Sequence, residues 1–246
     1  MINYEPYKKY FDILGSNKDN VKIIENFIEY DDLITINNFL DQYKDDDEFL
    51  GGKDMQQDKV KLLNPEVAYL LNKYESKTYR VVKELFTDKN GIPVIRMPIN
   101  PTHLVKWVPG MNSKLHCDCE KPDGTPAYTA EFYKYNVSVL MYPNDAYTGG
   151  EIVFPDYDIT LKPKPGTFIV FPGNNSYKHT VTRVESGVRY TMPSWYTFDV
   201  KEKEMPTSKK YTYKDSVQLW EGLPDYDKID PVGLTDKEAF YNDKKS

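Results

Sequence analysis

Length, composition and charge already narrow the possible functions of this chain. It has 246 residues, of which 28% are charged, and a formal net charge of −6; a chain of this length can bury the core of one larger domain. The acidic balance argues against a nucleic-acid backbone or an anionic membrane as the main partner. No apolar run approaches the roughly 20 residues that span a bilayer, and the segment from Met1 to Glu5 lacks the features of a secretory signal. We therefore expect a soluble, cytoplasmic protein.

Residues 1–92 are predicted to form a strand and helices that support a later β-rich core. Residues 1–20 resemble a polar lead-in with aromatic anchors, and residues 21–27 (VKIIENF) indicate a short strand. Asp31 or Asp32 is placed to cap a helix whose following apolar residues recur at helical spacing.

A longer helix is predicted after a loop over residues 45–60. The loop begins with the acidic run DDDEFLGGK and is either a connector or a flap over a site. Asn64 is expected to cap the helix, with Pro65 at its first position, and the run DKNGIP at residues 88–93 ends it. One face of the helix is apolar and is predicted to pack on a sheet: Val67, Leu70, Leu71, Tyr74, Val81 and Leu85.

Residues 93–200 form a predicted β core. They carry short apolar runs that are separated by Pro, Gly and Asn and have no helical segments between them. This pattern indicates a sandwich or jelly roll, so we predict a mainly β fold with flanking helices. Residues 119–134 form a loop that is either a lid or a connector. The predicted strands are residues 104–108, 137–142, 151–154, 167–171, 179–184 and 188–196.

The run KLHCDC at residues 114–119 places His116 and Asp118 two positions apart at a predicted strand end, so both side chains point to one face. An imidazole and a carboxylate are two thirds of a 2-His-1-carboxylate facial triad. The chain has three histidines, and His179 begins another predicted strand. The alternative is an ordinary surface pair. Cys117 and Cys119 are expected to be reduced thiols packed behind this face.

Five further segments surround these residues in a characteristic order. Arg189 lies in the last of them and is a fixed cation that could hold a carboxylate bidentately. The segments are WVPG at 107–110, SVLMYPN at 138–144, GGEIVFP at 149–155, KPKPGTFIVFP at 162–172, and GVRY at 187–190 with Trp195. Together they resemble the Fe(II)/2-oxoglutarate-dependent dioxygenase superfamily, of the prolyl 4-hydroxylase type.

The resemblance implies a double-stranded β-helix, the jelly roll of cupin-like proteins, with Fe(II) held by His116, Asp118 and His179. Arg189 would bind the far carboxylate of the co-substrate 2-oxoglutarate, and Tyr142 matches a tyrosine that shares this carboxylate. The remaining metal positions would serve 2-oxoglutarate and O2. Ascorbate, which keeps the iron reduced in this family, is an expected helper.

Two tryptophans receive weaker assignments. Trp107 stands where many relatives have a tyrosine near the co-substrate, and an indole donates one N–H but accepts nothing. Trp195 matches a tryptophan close to the substrate in relatives, although a tryptophan that is simply buried in a strand would explain its position equally well.

The implied reaction hydroxylates an unactivated C–H bond while 2-oxoglutarate is decarboxylated to succinate and CO2. We expect a prolyl residue of a peptide or protein as substrate, with a free amino acid or small metabolite as the alternative.

Three other classes of protein compete with this interpretation. A nucleic-acid oxygenase would need a basic groove and stacking aromatics, which the acidic balance argues against. A catalytically inactive jelly-roll binding module would not need all four motif residues. A cupin-like isomerase or hydrolase would have no need for Arg189.

Residues 201–246 are predicted to be an extension with a capping box, TDKE at 235–238, and a short helix lying across one structural domain.

Overall fold

The computed structural model describes residues 5–45, 54–121, 123–126 and 132–198. The predicted C-terminal extension therefore lies outside the described residues, as does most of the acidic run of the first loop. No helix of the described residues is both long and apolar enough to cross a membrane. The α-helices among the described residues are α1 (Glu5–Leu14), α2 (Tyr30–Gln42), α3 (Gln57–Leu63) and α4 (Pro65–Leu85).

The strands pair antiparallel throughout, as expected for a jelly roll. Their bounds are β1 (Lys22–Ile24), β2 (Asp54–Met55), β3 (Ile95–Asn100), β4 (Leu104–Trp107), β5 (Val137–Tyr142), β6 (Tyr147–Gly149), β7 (Ile152–Phe154), β8 (Ile159–Leu161), β9 (Thr167–Pro172), β10 (Thr180–Val181), β11 (Val184–Gly187) and β12 (Arg189–Phe198).

The described strands form one large sheet and two small ones. The large sheet runs β1-β9-β5-β12-β4-β2, and β3 also pairs with β12. The small sheets are β10-β7-β8 and the pair β11-β6. This is a double-stranded β-helix with helices on the outside, and the predicted fold class is confirmed.

Strand β5 shows how the large sheet separates two cores. Val137, Val139 and Met141 face outward and join the helices in the larger hydrophobic cluster. Tyr142 faces inward, into a smaller cluster that includes residues of β7 and β9, and Ser138 and Leu140 share its face because strand side chains alternate. The inner face therefore carries the polar residues Ser138 and Tyr142, which lie at opposite ends of the strand.

Helix α4 follows the prediction closely at its start. The side chain of Asn64 accepts hydrogen bonds from the backbone N–H groups of Glu66 and Val67, at 3.0 and 3.2 Å, and Pro65 is the first helical residue. Most of the predicted apolar face is buried, although Leu85 at the last turn is exposed. The capping prediction for α2 was wrong, because its N-cap is Glu29 without a side-chain cap, and Asp31 and Asp32 lie inside the first turn.

Two helices were not predicted. Helix α1 replaces the polar lead-in, since its aromatic anchors recur at helical spacing: Tyr7 and Phe11 are buried, and Phe11 meets Phe198 with ring centroids 4.8 Å apart. Helix α3 occupies the end of the first predicted loop.

The single strand predicted over 179–184 is not formed as such. Strand β10 spans only two residues, and β11 begins at Val184.

Candidate active site

Two histidines and one aspartate meet at one end of the jelly roll. His116 Nε2 lies 3.5 Å from Asp118 Oδ1, and His179 Nε2 lies 3.9 Å from the same oxygen. Among the residues that the structure describes, these three form a group whose possible ligand atoms all lie within 4.8 Å of one another. Two nitrogen donors and one carboxylate are the donor set of a facial triad for Fe(II), so the residues fit that ion.

The backbone sets the spacing of the two imidazoles. His116 and His179 form an isolated antiparallel bridge, with N–O distances of 3.0 and 2.8 Å in the two directions. The segment around His116 is otherwise irregular, so the predicted strand end reduces to this bridge. Each Nδ1 faces a backbone carbonyl, that of Lys114 at 2.7 Å and that of Tyr177 at 3.2 Å. A proton on each Nδ1 would make these contacts hydrogen bonds and leave Nε2 as the ligand atom.

Burial differs between the ligand candidates. The side chain of His179 is 6% exposed, whereas that of His116 is 43% exposed. His179 packs against the rings of Phe154 and Phe171, with centroids 5.6 and 4.7 Å away. Burial lowers the pKa of His179, although the Asp118 carboxylate opposes this shift. His179 is therefore neutral at pH 7, which is the form that binds a metal.

The Asp118 carboxylate is held on both sides. Burial raises the pKa of Asp118, but the nearby imidazoles of His116 and His179 and the hydroxyl of Ser138 outweigh burial, so the pKa lies well below its usual range. The other oxygen, Oδ2, accepts hydrogen bonds from the Ser138 hydroxyl and from Trp195 Nε1, the latter at 3.1 Å. Trp195 was assigned to the substrate from the sequence, and the structure places its polar atom on the carboxylate.

Arg189 lies on the inner face of the same sheet and is fully buried, at 1% exposure. Its guanidinium carbon lies 5.2 Å from the ring centroids of both Trp107 and Tyr142. Nη2 donates a long hydrogen bond of 3.4 Å to the Tyr142 hydroxyl, while Nε and Nη1 have no hydrogen-bond partner within the described part of the chain. A buried cation with unpaired donors is costly, and a carboxylate ligand is the group that matches it.

The surroundings of Arg189 contain residues that the sequence analysis missed. The hydroxyl oxygens of Tyr147 and Thr167 are buried without a hydrogen-bond partner in the described residues. Thr167 is the cross-strand neighbour of Tyr142, so its side chain shares that inner face. Burial raises the pKa of Tyr142 to about 12 and raises that of Tyr147, while the charge of Arg189 opposes both shifts. Both phenols are therefore neutral donors at pH 7.

Gly150 makes room for the buried guanidinium. Its φ is +68°, and a Cβ there would lie 2.9 Å from Arg189 Cδ and 3.2 Å from Tyr147 Cε2. Only glycine fits both the left-handed backbone and this close approach. The sequence signal for this residue was the Gly-Gly pair in the motif at 149–155.

The remaining histidine and the cysteines lie outside this cluster. His103 is buried, its Nδ1 lies 3.2 Å from the Pro101 carbonyl, and burial lowers its pKa. Cys117 and Cys119 are buried and form no disulfide, as predicted, and the Cys117 thiol donates to the Glu120 carbonyl at 3.2 Å. Burial raises the pKa of Cys117 to about 11, so its thiol is protonated and inert at pH 7.

Comparison with known proteins agrees with this geometry. Residues 102–197 match the model of the 2OG-Fe(II) oxygenase superfamily. An 85-residue stretch is 35% identical to prolyl 3-hydroxylase 2 of Homo sapiens and 33% identical to that of Gallus gallus, in each case over 32% of this chain. The match covers only 11% and 12% of those two relatives.

Solved structures share the fold. A viral collagen prolyl hydroxylase from Paramecium Bursaria Chlorella virus-1, in complex with 2OG, is 19% identical with a TM-score of 0.53, over 75% of this chain and 98% of that chain. A prolyl hydroxylase from Trichoplax adhaerens, in complex with a hypoxia inducible factor peptide fragment, is 18% identical with a TM-score of 0.53, over 84% and 95%. The solved structures show that the chain shares their fold, and residues 102–197 are similar to the 2OG-Fe(II) oxygenase superfamily.

Proposed function

We propose that this protein is an Fe(II)- and 2-oxoglutarate-dependent dioxygenase that hydroxylates a prolyl residue of a peptide or protein. The observation that carries the proposal is the combination of two features on one inner face. One is the cluster of two imidazoles and a carboxylate, and the other is the buried guanidinium of Arg189, two of whose nitrogens have no partner among the described residues. A metal site alone would fit many chemistries, whereas a metal site with a buried carboxylate receptor fits an oxygenase that uses a dicarboxylate co-substrate.

In this mechanism His116, Asp118 and His179 would hold Fe(II), which would supply the activation of O2 for attack on a C–H bond. Arg189 would bind the far carboxylate of 2-oxoglutarate through Nε and Nη1, which have no hydrogen-bond partner among the described residues. The neutral Tyr142 phenol donates a further hydrogen bond to that carboxylate.

The groups around Arg189 would orient the co-substrate and exclude water. The ring of Trp107 covers one face of the guanidinium, which strengthens the charge pairing by excluding solvent. Tyr147 and Thr167 offer additional hydroxyl groups beside it. Binding at Arg189 would thus fix one end of the co-substrate and leave its other end for the metal.

A prolyl substrate is supported by what the relatives act on. The curated matches are prolyl 3-hydroxylases, and the structural neighbours include a collagen prolyl hydroxylase and a prolyl hydroxylase bound to a peptide. The position of the new hydroxyl group on the ring is part of the test, because both 3- and 4-hydroxylation are chemically open. A free amino acid or small metabolite is the alternative substrate.

The decisive experiment measures succinate release after air is admitted to anaerobically iron-loaded protein with 2-oxoglutarate. A library of proline-rich peptides is added, and products are analysed by mass spectrometry and NMR for 3- or 4-hydroxyproline. We expect release to rise with particular peptides. Turnover of free proline without turnover of peptides would favour the small-molecule alternative. No release in the presence of bound iron would overturn the proposed activity in favour of an inactive binding module.

Three further parts of the proposal have their own tests. We expect ascorbate to raise the number of turnovers before inactivation, by keeping iron reduced.

The proposed cytoplasmic location is tested by fractionating cells that express the chain. The division into supporting residues 1–92, core residues 93–200 and an extension over 201–246 is tested by limited proteolysis, which should cut first beyond residue 200.

A further inference from the structure

The two oxygens of the Asp118 carboxylate have different partners. Oδ2 accepts hydrogen bonds from Ser138 Oγ and Trp195 Nε1. Oδ1 faces His116 Nε2 at 3.5 Å and His179 Nε2 at 3.9 Å. One oxygen is therefore satisfied by the protein, and the other remains directed at the point where the imidazole nitrogens converge.

The two donors come from neighbouring strands. Ser138 on β5 and Trp195 on β12 are Cα partners in the antiparallel register, so their side chains stand side by side on the inner face. Trp195 is fixed in turn by the ring of Tyr135, with centroids 4.7 Å apart and planes within 16° of parallel. The ring of His103 lies 5.9 Å away. The indole N–H is thus aimed by packing and not by the carboxylate alone.

We propose that Ser138 and Trp195 are positioning residues. They hold the Asp118 carboxylate so that only one of its oxygens, Oδ1, binds the metal. The inference rests on the proposed function, since it concerns the metal of that site. A carboxylate can bind a cation through one oxygen or both, and binding through both would occupy a position that the co-substrate and O2 require. Two hydrogen bonds on Oδ2 oppose that second mode and hold the carboxylate plane in place.

This assignment changes the role of Trp195 in the proposed enzyme. The sequence placed it near the substrate, whereas its polar atom contacts a metal ligand in the structure. Ser138 was part of a motif but had no assigned role. Together they predict that metal affinity and coordination geometry, and not only turnover, depend on residues that do not touch the metal.

The test uses two variants and two matched controls. Trp195→Phe keeps an aromatic ring on Tyr135 and removes Nε1–H, and Ser138→Ala removes the hydroxyl. Trp107→Phe makes the same tryptophan change beside Arg189. Ser194→Ala removes a buried hydroxyl that is bonded to Thr102 and not to Asp118. Fe(II) and Co(II) are titrated anaerobically into each protein, and the visible spectrum of the Co(II) form reports coordination geometry.

We expect each of the two variants to lose about 10-fold in metal affinity, because removing a hydrogen bond to a metal ligand costs roughly 10–100-fold. Their Co(II) spectra should differ from that of the wild type, while both controls keep the wild-type affinity and spectrum. Unchanged affinity and spectra in Trp195→Phe and Ser138→Ala would overturn the proposal. Equal losses in the controls would also overturn it, because the effect would then be general destabilisation.

A second measurement needs no metal and separates this inference from the proposed function. In metal-free ¹⁵N-labelled protein, the indole resonance of Trp195 is identified by its loss in Trp195→Phe. We expect it to shift in Asp118→Ala, since its acceptor is removed. A resonance that does not move would refute the contact even if the enzyme is active. A shift in a protein that binds no iron would support the contact while the proposed function fails.

Discussion

The proposed metal-ligand end and the proposed carboxylate-binding end of the site differ in how their buried polar groups are satisfied. At the ligand end, Asp118 and the imidazoles of His116 and His179 are already engaged with protein partners. At the other end Arg189 is buried with two nitrogens that have no partner among the described residues. The side chains at the first end are held by the fold itself, whereas an anion would supply the partners that the described residues do not give Arg189. The fold alone therefore positions the proposed metal ligands, and a ligand would complete the other end.

The largest effect should come from the ligand end. His179→Ala removes one of the three proposed metal ligands and is expected to weaken Fe(II) binding by more than about 100-fold, since even loss of a supporting contact costs roughly 10–100-fold. Anaerobic titration measures the affinity, and succinate release should be abolished. His103→Asn is the matched control and should retain metal binding. If His179→Ala kept wild-type affinity, the assignment of the metal ligands would be wrong.

The carboxylate end should respond differently. Arg189→Met keeps length and apolar bulk but removes the charge, so we expect metal affinity to persist while the 2-oxoglutarate Kd rises about 100-fold, because losing one partner of a buried charge pair costs roughly 2–5 kcal/mol. Without 2-oxoglutarate this variant should unfold at a temperature no lower than the wild type, since an uncompensated buried cation has been removed. The control is Arg183→Met, at an exposed arginine. A lower unfolding temperature in Arg189→Met alone would show that the guanidinium is satisfied before co-substrate binds.

Gly150→Ala should produce an intermediate effect at the same end. The new Cβ would meet Arg189 Cδ at 2.9 Å, and we expect the 2-oxoglutarate Kd to rise about 10-fold through displacement of the guanidinium. Gly91→Ala is the matched control, because Gly91 also has positive φ, at +77°, but no atom within 4 Å of the added Cβ. Both variants should lose about 1–2 kcal/mol of stability from backbone strain. Equal 2-oxoglutarate binding in the two variants would argue against the close approach.

The smallest effect is expected at Tyr142. Tyr142→Phe removes one hydroxyl near the guanidinium, and a single hydrogen bond contributes about 1 kcal/mol, so the KM for 2-oxoglutarate should rise roughly 5-fold with kcat little changed. Tyr190→Phe removes a hydroxyl on the helix-facing side of the sheet, where it donates to the Leu40 carbonyl, and should leave KM unchanged. If Tyr142→Phe left KM unchanged as well, the hydroxyl would not touch the co-substrate.

Predictions from the sequence were correct where contacts between neighbouring residues determine the structure. Asn64 and Pro65 predicted the start of α4 because capping involves neighbouring residues only. The predicted strand over 137–142 coincides with β5 because its apolar run is bounded by turn residues. The helix α1 was missed because its polar composition hid two buried aromatics, Tyr7 and Phe11, which pack against Tyr133 and Phe198 from distant parts of the chain.

The jelly roll, the residue types of the proposed metal site and a nearby arginine could be predicted from the sequence, because they follow from short strands separated by turn residues and from short motifs in a characteristic order. Which atoms meet depends on the tertiary structure. It placed the indole of Trp195 on Asp118 through cross-strand register with Ser138, and it brought Tyr147 and Thr167 near a guanidinium with unpaired nitrogens. Strand register and burial bring together residues that are far apart in the chain. A local sequence pattern does not show that the indole of Trp195 will contact Oδ2 of Asp118 and not Oδ1.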